Sequence, residues 1–108
     1  MTLLRVRLQQ AFDLLRLQHT AEARDVLQSL VDDELADAVV WETLGDVRDK
    51  LGDSEGAVEA WKQAIDLYLA RQMIKRAEGV LELLLILRPD DVDALATLAG
   101  LKASAVDS

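Results

Sequence analysis

The stretch VVWETLGDVRDKLGDSEGAVEAWKQAIDL, residues 39–67, holds both tryptophans of the chain, and its reading decides the fold. It divides at Leu51-Gly52-Asp53-Ser54. There Gly52 can end one helix in a left-handed conformation, and Asp53 or Ser54 can cap the next by accepting a free backbone N–H. Glu55 follows in the first turn, where the helix dipole favours an anion. Before the break, Trp41, Leu44, Arg48 and Leu51 recur at i, i+3, i+7 and i+10, one stripe of a helix. Gly45 beside that stripe lets a neighbouring helix come close. After the break, Ala57 and Ala64 leave room that Trp61 fills. Large residues facing small ones let two helices interdigitate at interior packing density. The stretch is therefore a helical hairpin with both tryptophans in its core.

Working outward, further breaks fall at His19-Thr20, where either residue can cap a helix bearing Glu22, at Leu35-Ala36-Asp37, at Arg71-Gln72 and at Pro89-Asp90-Asp91. Between them the apolar period is helical, and no segment alternates over a strand length. The pattern predicts six helices, near 3–17, 20–31, 36–51, 54–70, 73–88 and 91–104. Short connections make neighbours antiparallel, so the helices pair as hairpins near 3–33, 36–71 and 73–104. The 108 residues suit one small domain, and with 51% apolar residues a core forms without metals or disulfides. The end of the chain, Ala103-Ser104-Ala105-Val106-Asp107-Ser108, loses the apolar period and reads as a boundary.

A shift of 34 residues lays Leu17-Gln18-His19-Thr20 on Leu51-Gly52-Asp53-Ser54, Ala11 on Gly45, Ala23 on Ala57 and Leu27 on Trp61. A step of 20 carries Ala57, Trp61 and Ala64 to Ala77, Leu81 and Leu84. Trp41-x-x-Leu44-Gly45, then Leu51-Gly52, then Ala57-x-x-x-Trp61-x-x-Ala64 resembles the tetratricopeptide repeat, a helix–turn–helix unit of that length and pattern. The resemblance is good over residues 38–71, fair over 4–33 and partial over 73–104, where Ala77, Leu81, Leu84 and Pro89 match the second helix and its closing proline. Arg48 stands where the family usually has a tyrosine, and the first copy lacks the Trp and the Gly. The 20-residue step gives the 54–70 helix two overlapping phases, so the last hairpin is expected to pack atypically. The resemblance implies an all-α, right-handed array of antiparallel helical hairpins. It also implies a concave groove, lined mostly by the first helix of each pair, that binds a peptide or helix segment of a partner protein. Small acidic secretion chaperones belong to the same class. Some relatives clamp a C-terminal carboxylate with Lys and Asn at positions held here by Glu42 and Asp46, so that activity is not implied.

The formal charge of −8 is concentrated: residues 31–66 carry three basic and eleven acidic groups. Such a potential repels phosphate, which argues against nucleic acid and anionic membrane surfaces as partners. No apolar run is long enough to span a bilayer, and Arg5, Arg7 and Asp13 interrupt any secretory signal. The reading is a cytoplasmic protein, or a piece of a larger one. With no Cys there is no thiol chemistry, and His19, the only histidine, sits in a turn. Ser29, Ser54, Ser104 and Ser108 have no histidine at helical spacing. Asp32-Asp33-Glu34 and Asp90-Asp91-x-Asp93 lack the spaced ligands and glycine of a calcium loop; Asp90, Asp91 and Asp93 read as capping. The chain is therefore expected to be non-catalytic, with no cofactor and no metal.

Two surfaces are candidates for a partner. On the 36–51 helix, Glu42, Asp46 and Asp49 lie away from the Trp41 stripe at i, i+4 and i+7. Three carboxylates on one stripe repel each other unless a cation neutralises them, so a basic peptide or basic helix is the expected ligand, and a solvated face is the bland alternative. The same stripe one repeat earlier is Leu8, Phe12 and Leu15, which reads either as an apolar extension of the groove or, with Leu4 and Ala11, as core. The second surface is the helix at 73–88. Ile74, Ala77, Leu81 and Leu84 fill its inward stripe, and Val80, Leu83 and Leu87 widen it. Leu85 and Ile86 must then point elsewhere, which predicts self-association through Leu83, Leu85 and Ile86, or a missing neighbouring repeat. A self-assembling module, or an accessory domain of a larger enzyme, are the alternatives to a binding scaffold.

Overall fold

The breaks read from the sequence are built, four times out of five, as one and the same turn. The computed structural model describes residues 2–107. Its helices are α1 (Leu3–Arg16), α2 (Thr20–Asp32), α3 (Ala38–Lys50), α4 (Ser54–Ala70), α5 (Ile74–Leu87) and α6 (Val92–Asp107), with no strand among the described residues. After each of the first four helices one residue is left-handed: Gln18 (φ 62°), Glu34 (58°), Gly52 (82°) and Gln72 (60°). The next residue's N–H then bonds back five positions, His19 to Leu14, Leu35 to Leu30, Asp53 to Arg48 and Met73 to Tyr68, at 2.8–2.9 Å. This closes the last carbonyls of each helix and reverses the chain.

The fifth connection differs because of Pro89. A proline excludes the preceding residue from the helical region, and Arg88 is extended at φ −133° and ψ 76°. The chain then restarts at Asp91, whose Oδ1 accepts from the Ala94 N–H at 2.9 Å. Thr2, Asp37 and Asp53 cap α1, α3 and α4 in the same way. The expected His19-Thr20 cap does not form. Thr20 is already helical, and His19 makes no capping bond, its ring instead lying 3.0 Å from Glu22 Oε1. The Asp37 cap also moves the start of α3 to Ala38, and α6 continues past 104 to Asp107. Ser108 lies outside the described residues.

Each helix packs on the next in sequence, the arrangement of a helical repeat array. The radius of gyration, 14.4 Å, exceeds the roughly 13 Å of a compact domain of this length, and the extents are 42 × 31 × 22 Å. Two core clusters lie along the stack. Ala11, Leu27, Leu30, Val40, Leu44, Val47 and Ala60 form the first, where α1, α2 and α3 meet α4. The second gathers Trp61, Ile65 and Tyr68 of α4 with Val80, Leu81 and Leu84 of α5. Trp41 is half-buried and packs against both, so of the two expected core tryptophans only Trp61 is fully enclosed. Arg48 joins three helices: Nη2 donates to Gln28 Oε1 of α2 at 2.9 Å and Nη1 to the Gly56 carbonyl of α4 at 3.0 Å.

Candidate partner-binding groove

The geometry of the groove starts from the close approach of α3 and α4. Gly45 lies under the Trp61 indole so tightly that a Cβ there would overlap the ring. That approach brings the polar edges of α4's aromatics to the acidic face of α3. Trp61 Nε1 donates to Asp46 Oδ1 at 3.0 Å, and the Tyr68 hydroxyl donates to Glu42 Oε1 at 2.6 Å. From α5, Arg76 Nη1 reaches the Tyr68 oxygen at 3.3 Å, with its guanidinium carbon 5.8 Å from the ring centroid. Glu42, Tyr68 and Arg76 thus form a relay across three helices.

These contacts correct the expectation of a free, mutually repelling carboxylate stripe. Glu42 and Asp46 are half-buried and hydrogen-bonded within the fold, and only Asp49 is exposed. None of the three belongs to an ion pair among the described residues. Burial pushes the Asp46 carboxyl above the ordinary aspartate range. The Trp61 N–H pulls it back, while Glu42 and Asp49 push it further up and Lys50 lowers it. Burial also raises the Tyr68 phenol, and its bond to Glu42 adds to the rise.

Side chains from the first helix of each hairpin line one cavity beside this seam. A cavity of about 430 Å³ is walled by Phe12 and Leu15 of α1, Asp46 and Val47 of α3, and Leu83 of α5, with Trp61 as its floor. Thr43, Asp49 and Lys50 complete the α3 wall. A second cavity of about 350 Å³ continues along α1, lined by Arg5, Leu8, Gln9 and Phe12. Phe12 lines both.

Four of the residues singled out from the sequence, Phe12, Asp46, Asp49 and Leu83, therefore share one cavity, and Leu8 lies in its extension. Most of the α1 stripe is core: Ala11 is fully buried, and Leu4, Leu8 and Leu15 pack against the first core cluster, while Phe12 stays 38% exposed. The α5 reading needs two corrections. Leu83 does not widen the core stripe; it is 40% exposed and faces α1 and α3 across the cavity. Leu85 does not point outward but packs against the second core cluster, because the α4 and α6 neighbours flank α5 more widely than a single stripe. Ile86, 80% exposed, lies outside the groove. The Arg76–Tyr68–Glu42 relay was not legible beforehand. Its one signal, the single tyrosine of the chain facing an acidic stripe, appears only once α3 and α4 are aligned.

No protein-family model matches the chain, and the search of curated proteins finds no similar sequence. No described helix is long and apolar enough to cross a membrane.

Proposed function

We propose that the chain is a non-catalytic interaction scaffold of the tetratricopeptide-repeat kind. It takes a peptide or helix segment of a partner protein along the face shared by α1, α3 and α5. The observation that carries this reading is the groove itself. Phe12 and Leu83, two large apolar side chains on different helices, stand exposed on a cavity of about 430 Å³ that the half-buried Asp46 carboxylate also lines. Apolar walls with a few fixed polar groups are what helix-in-groove recognition uses. The repeat pattern around Trp41, Gly45 and Trp61 supports it as well.

Charge reversal at Glu42 and Asp46 is a poor test, because both hold the α3–α4 seam together. Phe12→Ala with Leu83→Ser leaves the buried core intact. Affinity capture from a cell extract is expected to retain a protein on the wild-type chain and lose it on the double variant, with unchanged circular dichroism. Identical captures by both would overturn the groove. A self-assembling module is the second reading, favoured by the exposure of Ile86. Light scattering that shows concentration-dependent mass, abolished by Ile86→Lys, would select it.

A further inference from the structure

Asp46 is the unusual member of the groove. Its Oδ1 accepts the Trp61 N–H, and Oδ2 has no partner among the described residues. Burial, Glu42 and Asp49 all disfavour its charge. Among the cations nearby, only the Lys50 charge opposes that rise, and it does so without an ion pair. Lys50 stands one turn further along α3 and lines the same cavity. Arg76 is turned onto Tyr68, and Arg16 of α1 pairs with Asp13. Arg5 belongs to the adjoining cavity, where it would repel a second cation. A half-buried carboxylate with one oxygen free of hydrogen bonds, lining a cavity with Phe12, Leu15 and Leu83, complements one kind of side chain: a charged head on a long apolar stem.

We propose that the α1–α3–α5 cavity is a socket for a single lysine or arginine side chain of the partner segment. The stem lies against Phe12, Leu15 and Leu83, and the head pairs with Asp46 Oδ2. This rests on the reading of that face as a partner groove and adds to it the residue that docks at its centre. Apolar contact of the stem supplies part of the affinity, and the half-buried ion pair supplies selectivity against uncharged side chains of the same length.

The test uses two small probes, N-acetyl-lysine methylamide and its uncharged analogue N-acetyl-norleucine methylamide. The indole N–H resonance of Trp61 is the reporter, because that proton is bonded to Asp46; the Trp41 indole is the internal control. The lysine probe is expected to shift the Trp61 signal saturably, with affinity about tenfold above norleucine at low salt and falling as salt rises. Asp46→Asn keeps an acceptor for the Trp61 N–H, so the fold persists, and it is expected to bring the two probes to equal affinity. Equal shifts by both probes on the wild-type chain would overturn the socket and leave a plain apolar slot. No shift by either would also overturn it. In both cases the scaffold reading still stands or falls on the Phe12/Leu83 capture experiment.

Discussion

The α3–α4 seam and the α5–α6 seam are both antiparallel helix pairs, yet they are held by different means. In the first, each helix buries six residues, Gly45 admits the Trp61 ring, and two aromatic N–H or O–H groups close on carboxylates. Arg48 ties the pair to α2. In the second, Ala94 is the single fully enclosed residue of α6 among the described residues, while Leu98 and Leu101 pack only in part. Val92 is 75% and Leu95 46% exposed on its outer side. Polar ties there include the Lys62–Asp91 pair at 2.9 Å, which anchors the start of α6 to α4, and a 4.0 Å Lys102–Glu82 contact. In an array where each helix meets only its neighbours, stability is set seam by seam. A middle helix has two seams and a terminal one has a single seam. Stability is thus concentrated where small residues face large ones, not spread evenly along the stack.

The comparison breaks most directly at Trp61. Trp61→Ala empties the floor of the α3–α4 seam and is expected to cost about 3–5 kcal/mol in urea unfolding. A loss below about 1 kcal/mol would show that the seam does not carry the fold. Glycine substitutions sharpen the contrast. Gly45→Ala forces a Cβ into the indole and is expected to destabilise by about 1–3 kcal/mol. The same change at Gly79 of α5 or Gly100 of α6, where a Cβ meets nothing, is expected to stabilise by about 0.5–1 kcal/mol through helix propensity. Opposite signs in thermal melts at these sites would confirm the difference; equal signs would remove it.

Tyr68→Phe keeps the ring and deletes the hydroxyl between Glu42 and Arg76. Its expected cost is about 1–2 kcal/mol, more than Tyr→Phe at an exposed site, because Glu42 is left half-buried without its donor. The smallest effect is a pH dependence. Asp46 has a raised folded value, so its charged form is disfavoured in the fold. Its contribution to stability therefore increases as pH falls through the folded value toward the ordinary 3.8. Asp91 behaves oppositely. The Lys62 bond and the Ala94 N–H lower it, so its contribution is present above 3.8 and is lost only as pH drops further, through the folded value. The stability advantage of Asp46→Asn over wild type is accordingly expected to be larger at pH 7 than near pH 4, and Asp91→Asn is expected to weaken α6 at pH 7 and to matter less at very low pH. Melts of the three proteins across that range check both signs.

The helix number, most boundaries and a close helix approach at Gly45 were legible in the sequence because they rest on local chemistry. Spacing places a stripe, aspartate caps a start, and a glycine marks where another helix can touch. The turns were located as well, but only Gly52 revealed its conformation. Gln18, Glu34 and Gln72 adopt the same left-handed turn at a cost of roughly 1–2 kcal/mol each, which the packing of successive helices offsets and no residue type advertises. The site was half legible. The sequence assigned its candidates to two unrelated surfaces, and it set Leu85 outward where the structure packs it on the core. Phe12, Asp46 and Leu83 are far apart in the chain, and their meeting depends on how α1, α3 and α5 align.

By itself, the sequence determined an all-α array of helical hairpins, because periodicity, capping and small–large pairing act within a turn or between adjacent helices. Only the tertiary structure decided which carboxylates are free, which leucine is exposed, and that one cavity gathers α1, α3 and α5. Those outcomes depend on the rotation and crossing of helices that are not neighbours in the chain, a property of packing that no local spacing encodes.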